Sequence, residues 1–353
     1  MKMNILKPEL IWIENRCYRK LNVKDNENKM YIEDDMYPVQ PNEYNEEEDD
    51  VVEDDLPIKY ENQKFWISLP VPGELIGYVC GKQNKNIKRI KDSTGAEIKI
   101  PSRLSGPDRG GNKYGNERSS DFVITAEKES SVSQAYRMLK EIMNSGRWKI
   151  ADFTHFISIP VNSDSIQKKF LTFCKAVSQS CPSAVQGAVF TNPSKLHLTI
   201  CMLTLLDKRE MEEAKAALND CASEITKMLG QRRLKLDIKG IEYMNDDDAE
   251  VDVLYAKVIE TDGSNVLQII AEKLAETFSN MNLAPRHYSV KLHLTLLKSR
   301  SYNEKRSSFD ARSILQKFKD YEFGQMEVTE IHISTRHTGH NNKYYSPSAL
   351  INV

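Results

Sequence analysis

Lys195-Leu196-His197-Leu198-Thr199 recurs letter for letter as Lys291-Leu292-His293-Leu294-Thr295. Histidine, with an ordinary pKa of about 6.5, can take or give a proton near neutrality. A hydroxyl and an ammonium beside it can hold an oxyanion. Two such sets brought together would supply a general base, a general acid, two hydroxyls and two cations around one reacting centre. A single His-x-Thr carries little weight, because most such histidines are packed or lie on the surface. The repetition, and the repetition of its surroundings, makes these residues candidates.

Each copy runs on into apolar residues, Ile200, Met202 and Leu203 in one and Leu296 and Leu297 in the other, and reads as a strand. Strand alternation turns Leu196, Leu198 and Ile200 toward a core and leaves Lys195, His197 and Thr199 as a polar stripe; Lys291, His293 and Thr295 repeat that stripe. Before each copy stand a strand, near Phe156 and Leu254, and a helix, over 166–179 and 266–278. After each come a helix and another strand, with Ile241 and Ile331 at comparable places. Phe156 and Leu254 are 98 residues apart, His197 and His293 96, and Ile241 and Ile331 90. A near-constant offset marks an internal duplication, here of two β-α-β-α-β lobes.

These paired motifs resemble the two-histidine (2H) phosphoesterases over about residues 153–353, and the unit is set at 150–353. The resemblance implies a bilobal, pseudo-symmetric α+β fold with one His-x-Thr from each lobe facing a cleft. It implies cleavage of phosphodiesters, often 2′,3′-cyclic phosphates or RNA 3′ ends, without metal or other cofactor. His197, Thr199, His293 and Thr295 would be catalytic. Lys195, Lys291 and Tyr345 would line the substrate site, with Tyr344 beside them. Which histidine is base and which acid stays open.

Residues 59–147 form a second unit. Strands over 64–71, 96–101 and 121–126 and helices over 74–80, from Lys85, and over 129–144 give the order β-α-α-β-β-α. With Ile76–Gly81, Ile87–Ile90 and Thr94–Pro101, this resembles a type I KH domain. From Gly77 to Arg103 there are seven basic residues against two acidic ones, which suits RNA. In KH domains a Gly-x-x-Gly loop clamps single-stranded RNA over about four nucleotides. Here Gly81, Lys82, Gln83, Asn84, Lys85, Lys88 and Arg89 would do so, with Asn84 where the second glycine belongs. Asparagine tolerates the left-handed backbone better than most residues, but its side chain stands where phosphate must approach. Protein contact is the alternative use of this unit.

The chain has 353 residues, net charge −2 and 40% hydrophobic residues, enough for real cores, while any basic surface must be local. No apolar run approaches membrane-spanning length and no signal pattern opens the chain. Six cysteines without metal or disulfide spacing read as reduced thiols. Residues 1–58 hold an apolar knot, Ile11-Trp12-Ile13, then acidic residues from Asp25 to Asp55 that read as disordered. Between Asn144 and Asp152 a short linker carries Arg147, Trp148 and Lys149, which predicts touching domains. Asp246-Asp247-Asp248 reads as a solvated loop. Lys298, Arg300, Lys305, Arg306 and Arg312 could steer a polyanion or simply decorate a loop. His332-Ile333-Ser334 is a third His-x-Ser, but it aligns with Glu242–Met244 and reads as structural; His155, His287, His337 and His340 have no partner copy. The KH unit, the 2H unit, and the stretches 240–247 and 251–258 together resemble a family of subunits of helicase-containing cointegrator complexes. That likeness implies a nuclear protein working with those subunits in transcription and the response to alkylation damage. It also marks Cys201 as standing where relatives carry glycine, which predicts a narrowed cleft floor. A non-catalytic RNA-binding scaffold is the rival reading.

Overall fold

The computed structural model describes residues 10–13, 16–19, 31–32, 56–100, 120–161, 163–285, 289–300, 308–339 and 343–353. Most of the acidic run, the loop after Pro101, Lys305, Arg306, His287 and His340 lie outside them. Near the start, β1 (Leu10–Ile13) and β2 (Arg16–Arg19) form an antiparallel pair, and β3 (Tyr31–Ile32) runs parallel to a strand of the C-terminal sheet.

The KH domain carries a four-stranded sheet in the order β4-β5-β7-β6, built from β4 (Lys59–Glu61), β5 (Lys64–Val71), β6 (Glu97–Lys99) and β7 (Ser120–Ala126). Alternation along β5 buries Ile67, Leu69 and Val71 against α1 (Ile76–Cys80), α2 (Lys85–Thr94) and α3 (Glu129–Ile150). Val132, Ala135 and Leu139 on α3 close that core. The helix does not stop near Asn144; it runs to Ile150, through the expected linker. Gly146 permits this, since a Cβ there would lie 2.5 Å from the Tyr78 ring of α1.

The extended helix carries Arg147 into the next domain. Its guanidinium donates to the Thr204 carbonyl at 2.8 Å and to both carboxylate oxygens of Glu210. Leu206 packs on the KH core.

The C-terminal domain is one ten-stranded sheet with helices. Its main path is β14-β11-β12-β13-β10-β8-β15-β16: Glu322–Glu327, Lys235–Tyr243, Val253–Glu260, His293–Ser299, His197–Leu203, His155–Pro160, Glu330–Thr335 and Pro347–Asn352 in that order. The short β9 (Ala188–Thr191) joins β13 and β3. Five α-helices complete it among the described residues: α4 (Asp164–Ser180), α5 (Pro182–Gln186), α6 (Lys208–Leu229), α7 (Val266–Asn280) and α8 (Arg312–Phe318). Asp207 caps α6 by accepting from the Glu210 N–H. The duplication is present, with an exchange that the linear repeat did not predict. The third strand of the first repeat, β11, pairs with β12 of the second; its counterpart β15 pairs with β8 of the first. A pseudo-twofold axis therefore passes between β10 and β13, which are bridged at Leu198 and Leu294.

Candidate active site

The two histidines begin their strands rather than sitting inside them. Lys195 ends a 3₁₀ turn, Pro193–Lys195, and Lys291 likewise precedes β13. This differs from the continuous five-residue stripe expected, and the reason lies in hydrogen bonding. The Lys195 carbonyl accepts from His197 Nδ1 at 2.7 Å, and the Lys291 carbonyl from His293 Nδ1 at 2.6 Å. A carbonyl can only accept, so each Nδ1 bears hydrogen and each neutral ring keeps its lone pair on Nε2. Antiparallel counting from the Leu198–Leu294 bridge sets His197 against Thr295 and His293 against Thr199.

One residue past each threonine the strand bulges. The β10–β8 register slips between Thr199 and Cys201, and the β12–β13 register slips opposite Leu296, between the Thr295 and Leu297 pairs. A bulge reverses the alternation beyond it. Cys201 therefore joins the large core, and the expectation that it narrows the cleft floor is overturned. Met202 takes the cleft face instead, packed with Phe156 and Tyr345. In the second lobe the same slip turns Lys298 onto the cleft face.

Both lysines of the repeat cap tyrosine rings. Lys195 Nζ lies 4.9 Å from the Tyr345 ring centre, and Lys291 Nζ 4.9 Å from that of Tyr255. Those rings stand edge-on to His197 and His293 at 5.5 and 5.3 Å. Each lobe thus presents the stack Lys–Tyr–His. Tyr255 in turn donates to Glu242 at 2.9 Å, and its hydroxyl pKa is raised by burial and by that carboxylate. Thr199 Oγ1 is buried and has no hydrogen-bond partner among the described residues, which suits an oxyanion seated there. Burial, helped by charge from His197, Lys298 and Lys291, pushes the His293 pKa down to about 4 against the opposing pull of the Lys291 carbonyl. His293 is therefore neutral at neutral pH.

The pairwise geometry gathers His197, Thr199, His293, Thr295, Lys195, Lys291 and Tyr345 about one axis. The KH residues form a separate surface. Lys82, Gln83, Asn84, Lys85, Lys88 and Arg89 are exposed, and a cavity of about 550 Å³ opens between Gly81, Lys82, Arg89 and the α3 residues Glu141 and Ser145. Asn84 does adopt the left-handed backbone a glycine would, at φ 59°, and Gln83 before it does too, at φ 54°. Of the basic segment, Lys298 is buried, Arg300 donates to the Ala188 carbonyl and Arg312 pairs with Asp310.

A family model described as the AKAP7 2′5′ RNA ligase-like domain matches residues 153–353. The chain belongs to that family. A KH domain model matches residues 67–141, ahead of the AKAP7 2′5′ RNA ligase-like domain. Along its whole length the chain is similar to the mouse (Mus musculus) activating signal cointegrator 1 complex subunit 1, with 33% identity over 95% of this chain and 96% of that protein. An uncharacterized protein of Schizosaccharomyces pombe is 26% identical over 47% of this chain and 78% of its own. Among solved structures, a Thermus thermophilus protein (15% identity, TM-score 0.36) and LigT of Escherichia coli in apo form (14%, TM-score 0.35) each align with 57% of this chain. The alignments take in 93% and 98% of those chains.

Within this family domain, sequence reading missed Tyr255, Glu242, Ser158 and Phe156, and read Lys298 only as part of a basic segment. Glu242 had a usable signal, since the 90-residue offset sets it level with His332; Tyr255 is level with Ser158 only through the strand pairing, by way of Thr295 and Thr199. His332 lies on the cleft face of β15, opposite Ser158, with its Nε2 at 2.8 Å from Glu330 and its ring 6.0 Å from Tyr344. Tyr344 shares a hydrogen bond with Ser158 at 3.1 Å and stands 6.5 Å from His197.

Proposed function

We propose that the chain is an RNA-binding, metal-independent phosphodiesterase that acts on RNA ends or cyclic phosphates through its two histidines. The observation that carries the reading is the mirrored Nδ1–carbonyl bond, which sets the lone pair of each neutral ring on Nε2, beside one axis. One Nε2 takes a proton from water or a ribose hydroxyl, and the other gives one to the leaving oxygen. Such help contributes about 10²–10⁴-fold per group. Thr199 and Thr295 bond the non-bridging oxygens, and Lys195 and Lys291 offset their charge. The KH surface supplies single-stranded RNA binding, supported by its exposed lysines and left-handed loop. The 33% identity to an activating signal cointegrator 1 complex subunit supports a place in such a complex; helicase-containing partners, a nuclear location and work in transcription and the response to alkylation damage belong to the same proposal.

The test is incubation of purified full chain with oligonucleotides ending in 2′,3′-cyclic phosphate, 3′-phosphate or 3′-hydroxyl. Turnover of one class is expected. His197→Ala and His293→Ala should each remove most of it while the protein stays folded, and His332→Ala should cost much less. Binding of all three without turnover would favour the scaffold reading instead.

A further inference from the structure

One duplicated sequence builds both halves of the cleft, yet the halves differ in charge. Opposite His197 stands Pro160; opposite His293 stands Lys257. Beyond the bulges Met202 pairs with Phe156 in the first lobe, and Lys298 with Val253 in the second. Lys257 has Glu242 at 3.5 Å, which offsets it. Lys298 is buried, and its charge and that of Lys291 both act on His293. Aromatic rings are distributed the other way. Phe156, Tyr345 and Tyr344 lie 5.0, 5.5 and 6.5 Å from the His197 ring, while Tyr255 faces His293.

We propose that this asymmetry orients the substrate: Lys298 and Lys291 hold the phosphate and its attacking water on the second-lobe side, and the aromatic first-lobe side holds the nucleoside that departs. The inference rests on the phosphodiesterase reading above. Lys298 is the residue that breaks the symmetry, because the repeat places an uncharged methionine at the matching point. An ammonium beside His293 favours phosphate there and disfavours a protonated imidazole. A flat apolar wall beside His197 favours a base or ribose over an anion.

The orientation fixes the direction of proton flow. Lys298 and Lys291 beside His293 disfavour a proton there, so His293 is the base and His197 the donor to the leaving oxygen. Water gives a proton to His293 Nε2 as its oxygen bonds to phosphorus. The bond from phosphorus to the nucleoside oxygen breaks, and His197 Nε2–H protonates that oxygen as it leaves with the bonding pair. His293 then releases its proton to solvent and His197 takes one up, which restores the starting state.

The test uses the full chain and two substrates: an RNA dinucleoside phosphodiester and its analogue with sulfur at the leaving position, since a thiolate departs without a proton. Wild type should cleave both. His197→Ala should lose about 10²–10⁴-fold on the oxygen substrate and regain most of that loss on the sulfur one. His293→Ala should lose activity on both. His197→Gln and His293→Gln repeat the comparison. The sulfur-to-oxygen ratio is taken within each variant, so a reduced folded fraction cancels. Lys298→Met, which copies Met202, should move the acidic limb of kcat/KM to higher pH, a shift that a merely structural lysine would not cause. Sulfur rescue of the His293 variants, or equal rescue of both sets, overturns the orientation. Wild type inert on both substrates overturns the orientation as well, and the phosphodiesterase reading falls with it if the 2′,3′-cyclic, 3′-phosphate and 3′-hydroxyl ends are also left intact.

Discussion

Consider Arg147→Ala at the junction of the two domains. Arg147 and Glu210 are 3% and 4% exposed, so neither can turn to water when its partner goes. Removing the guanidinium strips the Glu210 carboxylate of both arginine donors, leaving it the Leu206 N–H at 2.9 Å among the described residues. It also strips the Thr204 carbonyl of the donor at 2.8 Å. An unsatisfied buried neutral group costs about 1–3 kcal/mol and a charged one more. The two losses together match the 3–5 kcal/mol or so seen when one member of a buried pair is removed. Leu206 remains on the KH core but loses the pair that holds it there, so the domains should uncouple. Chemical denaturation should show the loss, and calorimetry should resolve one transition into two. The double variant Arg147→Met with Glu210→Leu should recover most of the stability, because no buried charge is left alone. A single-variant loss below about 1 kcal/mol, or a double variant as unstable as the single, would refute the reasoning.

Other expectations concern pH, metal and RNA. Burial holds His155 and His293 at about pKa 4, while the unfolded imidazole titrates near its ordinary value. The unfolded chain therefore binds more protons between about pH 6.5 and pH 4, and stability should fall as pH drops through that window, by about 2 kcal/mol per histidine at pH 5. Denaturant melts across pH 5–8 test this, and a flat profile refutes it. Under the proposed mechanism, in which the imidazoles carry the protons and the lysines the charge, turnover should survive EDTA; loss restored by a divalent ion would sink it. Asn84→Gly should keep or raise RNA affinity, since glycine holds the left-handed backbone without a side chain. Lys82→Glu with Lys85→Glu should weaken binding and flatten its salt dependence; no change would point to protein contact. Affinity for single-stranded RNA should also climb once a strand exceeds the roughly four nucleotides of a KH clamp and reaches the cleft; equal length dependence for residues 150–353 alone would exclude a shared strand.

The repeat was legible because two identical pentapeptides leave little room for chance, and the KH order because strand and helix periods alternate cleanly. Partners across the sheet were not. Periodicity says which face a residue takes, not which strand lies beside it, so the exchange of β11 and β15 was invisible. The bulges were hidden too. Counting by twos from Thr295 sends Lys298 into the core, and only the slip at Leu296 brings it to the cleft. Arg147 resembled a linker charge because its partner, Glu210, lies 63 residues on. Tyr255 was passed over as one more aromatic in a strand, because the 98-residue offset sets it level with the core residue Ile157; only the strand pairing brings it level with the cleft residue Ser158.

The exchanged strands make the two repeats mutually dependent. Cut the chain in the loop between Tyr243 and Val253, and neither piece holds a finished edge: the first keeps β11 without its neighbour β12, the second keeps β15 without β8. Each would show an open strand to the other, so the halves should fold only as a complemented pair. The same logic runs backward in time. A single ancestral repeat could satisfy its own edges by trading that strand with a second copy, and joining the two genes would have turned an intertwined dimer into one chain with its site already on the axis.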